Sequence, residues 1–298
     1  MEHEMKGLIV VNQSIGHNQY KIDRFLEEGD KLGLVLDVLI NNGSLAKIEN
    51  GEIVLSIPKY DFVIYLDKDI YAARILEKQG YRLFNKADFI KLCDDKMLTL
   101  IRCANEGFPI IKTLASPLVY TPELSESNLK FLDHVIDELG LPLVAKRVYG
   151  SLGEGVYLIN TKDNLIDFYK SKYRDPLLFE EYISSSKGRS LRALVIDNKV
   201  IGIIERNNPS DFRSNYGNTN FSTKYENQQK CWDFAEKISQ KLNIEYAGID
   251  FLLDENEDPI LCEINSNAFF EEFEKTTGIN VAKLFLEMVI NKVNDEQK

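Results

Sequence analysis

Residues 247–265 constrain this 298-residue chain more than any other stretch. Two apolar runs, Ala247 to Leu253 and Pro259 to Ile264, enclose Asp254-Glu255-Asn256-Glu257-Asp258, a turn-rich patch that predicts a hairpin. Alternate residues of a strand share a face. Glu263 and Asn265 therefore point one way, and Cys262 and Ile264 the other. Asp250 faces the first pair from the partner strand, because Ile249, Phe251 and Leu253 take the opposite side. Two carboxylates and an amide oxygen on one face of an apolar hairpin are hard ligands suited to Mg²⁺, which keeps waters and substrate phosphates as its other ligands. The same pattern also describes an ordinary solvated strand face, so the hairpin alone leaves both readings open.

Composition narrows the class. The chain is 44% hydrophobic and 28% charged, which is ordinary for a globular protein with room for two or three lobes. Its net charge of −11 argues against nucleic-acid binding by phosphate neutralisation and against docking on an anionic membrane. Cys93, Cys103, Cys231 and Cys262 have no CxxC spacing, and His3, His17 and His134 form no cluster, so neither a disulfide framework nor a zinc site is expected. The apolar run Leu8 to Val11 is too short for a signal peptide, and no stretch approaches transmembrane length. A cytoplasmic location is the expectation.

Strand and helix patterns alternate from residue 6 to about 94: strands at Gly7–Val11, Leu34–Ile40 and Phe62–Leu66, helices at Asn18–Leu32 and Ile70–Gln79. Such alternation predicts a parallel sheet with helices on its faces. The first turn, Asn12 to Gly16, is not a GxGxxG fingerprint. A second lobe follows over 95–183, with helices at Asp94–Glu106, Ser125–Leu139 and Asp163–Ser171. Its strands are expected at Ile110–Leu114, Leu143–Val148, Val156–Ile159 and Leu177–Phe179. A third lobe over 184–298 has a hairpin around Asp197-Asn198-Lys199, a helix at Glu226–Leu242, the Asp250/Glu263 hairpin, and a closing helix at Val281–Val293. Asn294–Lys298 reads as a disordered end.

Gly150-Ser151-Leu152-Gly153-Glu154-Gly155 joins two strands just after Lys146. Glycines allow positive φ and close approach of backbone amides to an anion. The loop runs strand to strand, so it is not a Walker A loop. It fits either a lid over phosphates or a glycine-rich turn. Lys146 is then a candidate phosphate ligand, whereas Lys96 by itself reads as a surface charge. Phe179-Glu180-Glu181-Tyr182-Ile183 fits a hinge whose backbone reads an adenine edge, or a plain strand edge. Arg192, Arg206 and Arg213 are either clamps for carboxylate or phosphate, or ordinary surface arginines.

Taken in order, these segments resemble the ATP-grasp superfamily, closest to the RimK-like glutamate ligases. The match spans nearly the whole chain and is densest from Lys146 onward. It continues through Glu181-Tyr182-Ile183, Ile204-Glu205-Arg206, Asp211-Phe212-Arg213-Ser214-Asn215, Gly248-Ile249-Asp250, Glu263-Ile264-Asn265 and Glu274 to Ile279. The resemblance implies an α/β (α+β) ATP-grasp fold: an N-terminal α/β lobe (1–94), a central lobe with the glycine lid (95–183), and a C-terminal lobe with the metal site (184–298). It also implies that Lys96, Lys146 and the loop residues Gly150, Ser151, Gly153 and Gly155 meet ATP phosphates. Glu180, Glu181, Tyr182 and Ile183 would hold adenine, and Ser190 stands where relatives often carry a ribose-binding acid. Asp250, Glu263 and Asn265 would bind two Mg²⁺ (or Mn²⁺). Arg192, Arg206 and Arg213 would cover phosphate or carboxylate charge, with Asn215 near the amino-acid substrate. After Asn265 the glutamate ligases usually run through Ser-Pro-Gly; here the loop is Ser266-Asn267-Ala268-Phe269-Phe270-Glu271-Glu272-Phe273.

The expected activity is an ATP-dependent carboxylate–amine ligase working through an acylphosphate. It would add an amino acid such as glutamate to a carboxylate-bearing peptide, protein or small molecule. The alternatives are a peptide macrocyclase of the same superfamily and a non-catalytic ATP-binding regulatory protein. A homo-oligomer is expected by resemblance.

Overall fold

The computed structural model describes residues 4–13, 15–121, 123–151, 153–217, 219–225 and 229–296. Expectations that rest on His3, Ser14, Leu152, Glu226, Gln297 and Lys298, and on the side chain of His17, lie outside the described residues. The chain opens with β1 (Lys6–Val11), α1 (Ile15–Lys31), β2 (Val35–Ile40), β3 (Ala46–Glu49), β4 (Glu52–Leu55), β5 (Phe62–Leu66), α2 (Ile70–Lys78) and β6 (Leu83–Phe84). A parallel sheet runs in the order β2-β1-β5-β6. Its central strands are apolar throughout because both faces are covered. Leu8 and Val10 pack with Ala73 and Leu76 of α2, while Ile9 and Val11 pack with Phe25 of α1. The β3–β4 hairpin is an element that apolar patterning misses. Its turn, Asn50-Gly51, holds φ of 52° and 82°, the left-handed pair that two-residue hairpin turns need.

The helix expected over 94–106 is present but shorter, as α4 (Lys96–Cys103), and it is preceded by α3 (Ala87–Asp94), which the pattern does not predict. Asp95 leaves the helical region between them and accepts from the Leu98 amide as the N-cap of α4. Next come β7 (Thr113–Ala115), α5 (Glu126–Leu139), β8 (Leu143–Arg147), β9 (Val156–Ile159), α6 (Lys162–Lys172) and β10 (Leu177–Glu181), with an antiparallel sheet ordered β7-β10-β8-β9. Ser125 caps α5 in a capping box with Asn128. The strand expected at Ile110–Leu114 is displaced to β7, and Ile110 bridges to Leu261 instead. Strand β10 is longer than expected and carries Glu180 and Glu181 within it.

The remainder comprises β11 (Arg189–Ile196), β12 (Lys199–Asn207), β13 (Phe221–Lys224), α7 (Gln229–Leu242), β14 (Tyr246–Leu253), β15 (Pro259–Asn265), α8 (Glu271–Thr277) and α9 (Val281–Glu296). The antiparallel sheet order is β13-β12-β11-β14-β15. The β11–β12 turn, Asp197-Asn198, takes φ of 49° and 62° as its sequence predicts. Helix α7 covers one face through Ala235 and Ile238. Phe273 of α8 and Phe285 of α9 belong to the core on the other side, which continues into Ile9, Phe25 and Phe62. The end expected to be disordered is helical through Glu296. Among the described residues no helix is long and apolar enough to cross a membrane.

Candidate active site

Asp250 on β14 stands directly opposite Glu263 on β15, and Arg192 on β11 stands opposite Asp250 on its other side. The hairpin therefore presents both carboxylates together, as alternation predicts. Asn265 closes the group: its Nδ2 donates to Asp250 Oδ2 at 3.2 Å and to Glu263 Oε1 at 3.1 Å. A turn of that amide about its terminal bond presents Oδ1 in place of Nδ2. The set then offers hard oxygens only, which fits Mg²⁺ or Mn²⁺ sharing its shell with phosphate oxygens. Among the described residues no group of three or more His, Cys, Asp or Glu is placed to hold a metal, so a shell built on Asp250, Glu263 and Asn265 would take waters or phosphate oxygens as its other ligands.

Cys262 corrects the strict alternation. The register passes from Asp250↔Glu263 to Phe251↔Leu261, which leaves Cys262 as the extra residue of a β-bulge. It lines the same cavity as Glu263 instead of the opposite face. Burial pushes its thiol up to about 12, against the lowering effect of Lys146, so it is protonated at neutral pH.

Arginines frame Asp250, which is buried. Arg192 donates from Nε and Nη2 to the two carboxylate oxygens, both at 2.7 Å. Gly248 makes room for this crossing, since a Cβ there would lie 2.9 Å from Ala268 Cβ and 3.3 Å from Arg192 Nε. Arg206 Nη2 lies 3.1 Å from Asp250 Oδ2, and Arg206 also donates twice to Ser190 Oγ. Ser190 Oγ in turn shares a hydrogen bond with Ser214 Oγ at 2.6 Å. Burial and the nearby Arg192 charge lower the pKa of Arg206. Burial opposes the charge of Arg192 as well, but the Asp250 carboxylate raises its pKa. Burial also works against the Glu263 carboxylate, yet Lys96 and Lys146 hold it down at about 2.

The glycine loop closes over this group. Lys146 Nζ lies 2.6 Å from Glu180 Oε1, an ion pair of two buried side chains on neighbouring strands. Lys96 Nζ donates to the Gly150 carbonyl at 2.7 Å and sits 4.0 Å from Glu263 Oε2. Burial lowers the pKa of Lys96 despite the Glu263 charge. Arg213 is engaged all round. Nε and Nη2 hold Asp211 at 2.9 and 2.8 Å, and Nη1 donates to the carbonyls of Gly153 and Val156 at 3.0 and 3.2 Å. Its guanidinium lies 3.4 Å from the centre of the Tyr216 ring. In this structure Arg213 ties the lid to the 208–217 loop.

Two joined cavities result. The first, of about 130 Å³, is lined by Lys96, Lys146, Gly150, Ser151, Gly153, Glu180, Glu181, Tyr182, Ile183, Ser190, Arg206, Arg213, Asn215, Asp250 and Glu263. The second, of about 610 Å³, shares Ser151, Glu154, Arg206, Asn215 and Glu263 with it and adds Arg192 and Asn265. Gly155 lines neither; its φ of 73° shapes the loop beside Arg147. Glu181 accepts from the Lys112 amide at 3.0 Å, which fixes the end of β10 against the chain leading into β7. Sequence reasoning overlooks Leu252, Phe212 and Cys262 in the first cavity, and Asn12, Asn18, Lys68, Asp94 and Asn267 in the second. Asn12 and Lys68 follow the carboxyl ends of β1 and β5, where open parallel sheets bind ligands, and that position was the available signal.

The architecture is the ATP-grasp fold. A RimK-domain ATP-grasp protein from Sphaerobacter thermophilus superposes with a TM-score of 0.72 at 15% identity, covering 95% of this chain and 98% of that one. The chain belongs to the RimK-like ATP-grasp family of ligases, whose domain model matches residues 93–289. It is 32% identical over 222 residues to the uncharacterised protein MG012 of Mycoplasma genitalium, covering 74% of this chain and 77% of that protein. It is 29% identical over 269 residues to human beta-citrylglutamate synthase B, covering 86% and 67%.

Proposed function

We propose that the protein is an ATP-dependent carboxylate–amine ligase that forms an amide through an acylphosphate. The observation that carries this reading is the placement of Asp250, Glu263 and Asn265 where a cavity under the glycine lid meets a second, larger cavity. The first cavity is read as the ATP site, with adenine along Glu180–Ile183 and phosphates near Lys96, Lys146 and the loop from Gly150 to Gly155. The second takes the substrates. The lobes divide at 1–94, 95–183 and 184–298. Divalent cations, two Mg²⁺ or Mn²⁺ held by Asp250, Glu263 and Asn265, neutralise charge on the transferred phosphate when bound.

In the first step a substrate carboxylate oxygen attacks the γ-phosphorus, and the bond to the β-phosphate oxygen breaks, releasing ADP. In the second an amine nitrogen attacks the acyl carbon, the bond to phosphate breaks, and the amine proton leaves to solvent or phosphate. The protein supplies position and fixed charge, with no side-chain nucleophile. Lys96 and Lys146 offset charge on the phosphates. Arg192 and Arg206, whose charge Asp250 balances in this structure, take up negative charge on the phosphate and the substrate carboxylate. Arg213 holds the lid down, and a closed lid keeps water from the acylphosphate. The resemblance implies glutamate as the amine substrate, but the Ser266–Phe273 loop departs from the glutamate ligases where it borders the second cavity. ADP release from Mg²⁺-ATP, screened over pools of carboxylates and amines, tests the reading. Release that needs a carboxylate and vanishes in Glu263→Ala supports it; release indifferent to every pool refutes it.

A further inference from the structure

Asn85 lines neither cavity, yet its side chain joins the ends of the two strands that carry Asp250 and Glu263. It stands between β6 and α3 and is 4% exposed. Its Oδ1 accepts from the Tyr246 amide at 3.2 Å, and its Nδ2 donates to the carbonyls of Tyr246 at 2.8 Å and Ser266 at 2.7 Å. A carboxamide carries the same kinds of donor and acceptor as a peptide unit, so it can stand in for a strand partner. The β14–β15 ladder ends at Gly248↔Asn265, short of the start of β14 at Tyr246. Asn85 takes the place of the missing partner. It serves both backbone groups of Tyr246 and holds the chain that leaves Asn265.

That chain is anchored at each of its next three residues. The Ser266 carbonyl bonds to Asn85, and the Ser266 amide bonds to the Cys93 sulfur of α3. Asn267 donates from Nδ2 to the Leu66 carbonyl at 2.7 Å and accepts at Oδ1 from Lys21 Nζ. The Ala268 carbonyl accepts from Tyr246 Oη at 2.8 Å. Among these anchors, Asn85 is the one from outside the hairpin that grips both of its strand ends. Serving Tyr246 alone would make it a splint for β14. The second arm, to Ser266, does more: Ser266 directly follows Asn265, whose amide touches both carboxylates. The clamp therefore sets where that amide stands.

We propose that Asn85 is a positioning residue for the divalent cations: by tying Tyr246 to Ser266 it holds Asn265 against Asp250 and Glu263 in the arrangement a cation needs. That these three residues are cation ligands rests on the ligase reading above. Partners that orient a metal's ligands without touching the ion change its affinity by about 10–100-fold. Asn85 is such a partner, acting through the main chain of the hairpin instead of through a ligand's side chain.

The test uses the full chain with a non-hydrolysable ATP analogue and reads Mn²⁺ binding to that complex by electron paramagnetic resonance. Asn85→Ala removes all three hydrogen bonds. Asn85→Asp has nearly the same shape, keeps the bond from the Tyr246 amide and loses both donations. Each weakens Mn²⁺ binding about tenfold, the lower end of the range for such partners, and leaves binding of the metal-free analogue unchanged. Leu76→Val loosens the core around α2, shows the effect of lost stability alone, and binds Mn²⁺ as the wild type does. Asn85 variants that bind Mn²⁺ like the wild type, or a loss in Leu76→Val as large as theirs, would overturn the proposal. A measurement on the wild type decides the matter if both Asn85 variants unfold. By reciprocity, a cation that the clamp favours must tighten the clamp. Mg²⁺ added to the analogue complex therefore slows hydrogen exchange at the Tyr246 amide more than at the Leu76 amide; equal slowing counts against the proposal. Normal cation binding by the wild type with unaffected Asn85 variants removes this inference alone. Mn²⁺ held by the wild-type complex no better than by the analogue alone removes the cation site, and the ligase reading and this inference with it.

Discussion

Glu263 concentrates the chemistry of the site in one side chain. Lys96, Lys146 and Asn265 keep it ionised at a pKa of about 2, ready to bind a cation throughout the neutral range. Glu263→Ala is expected to leave the fold intact and to lower turnover by at least about a hundredfold, the scale seen when even outer-shell partners of a metal are lost. Circular dichroism together with steady-state ADP release checks both parts. Lys21 makes a separate prediction. Burial lowers its pKa from 10.5 to about 7. Between those values the unfolded chain binds more protons than the folded one, so stability rises with pH from 7 towards 10.5, by up to about 1.4 kcal/mol per unit. Urea melts at pH 7, 8 and 9 should show this slope in the wild type and lose it in Lys21→Met; equal slopes would place the Lys21 ammonium in a solvated setting.

At the scale of elements, the lid latch is the feature that no local pattern shows. Arg213 reads as one of three similar arginines, yet its guanidinium is spent on Asp211 and two lid carbonyls. Arg213→Ala should weaken lid closure by about 2 kcal/mol, the range for hydrogen bonds to a charged group. The expected signature is ADP release that outruns amide formation, measured as the ratio of the two products; an unchanged ratio with lower turnover would return Arg213 to the phosphate. Strands and their facing were legible where the local rule was strong. Asp250, Glu263 and Asn265 share a face because period two governs a buried hairpin, and the Asp197-Asn198 turn follows from residues that tolerate positive φ. Cys262 was misplaced because a bulge breaks period two without a sequence signal. The start of α4 falls within two residues of its expected place, because Asp95 three residues before Leu98 is an ordinary cap, whereas α3 has no side-chain cap at its N-terminus to announce it.

For the whole molecule, contacts between distant residues decide what periodicity cannot. Glu274 opens one of the segments that carry the family resemblance, but it lines neither cavity. It accepts from Tyr20 Oη at 2.7 Å, Arg24 Nε at 3.0 Å and the amides of Val281 and Ala282 at 2.7 and 3.3 Å. It thus caps α9 and pins α1, joining the two ends of the chain over one core that runs from Ile9 to Val293. Removing it leaves two helix amides uncapped and takes one of three carboxylates from Arg24, which keeps Glu27 and Glu28, so Glu274→Ala should cost about 2 kcal/mol. Thermal melting checks this, and a loss under about 1 kcal/mol would mean that the helices pack without it. The central claim is that Asp250, Glu263 and Asn265 support the activation of a carboxylate by ATP. The most direct test labels the substrate carboxylate with oxygen-18 and follows the label into released phosphate by mass spectrometry. The account predicts one labelled oxygen per phosphate in the wild type and none above background in Glu263→Ala. Unlabelled phosphate from an actively turning wild-type enzyme would contradict it.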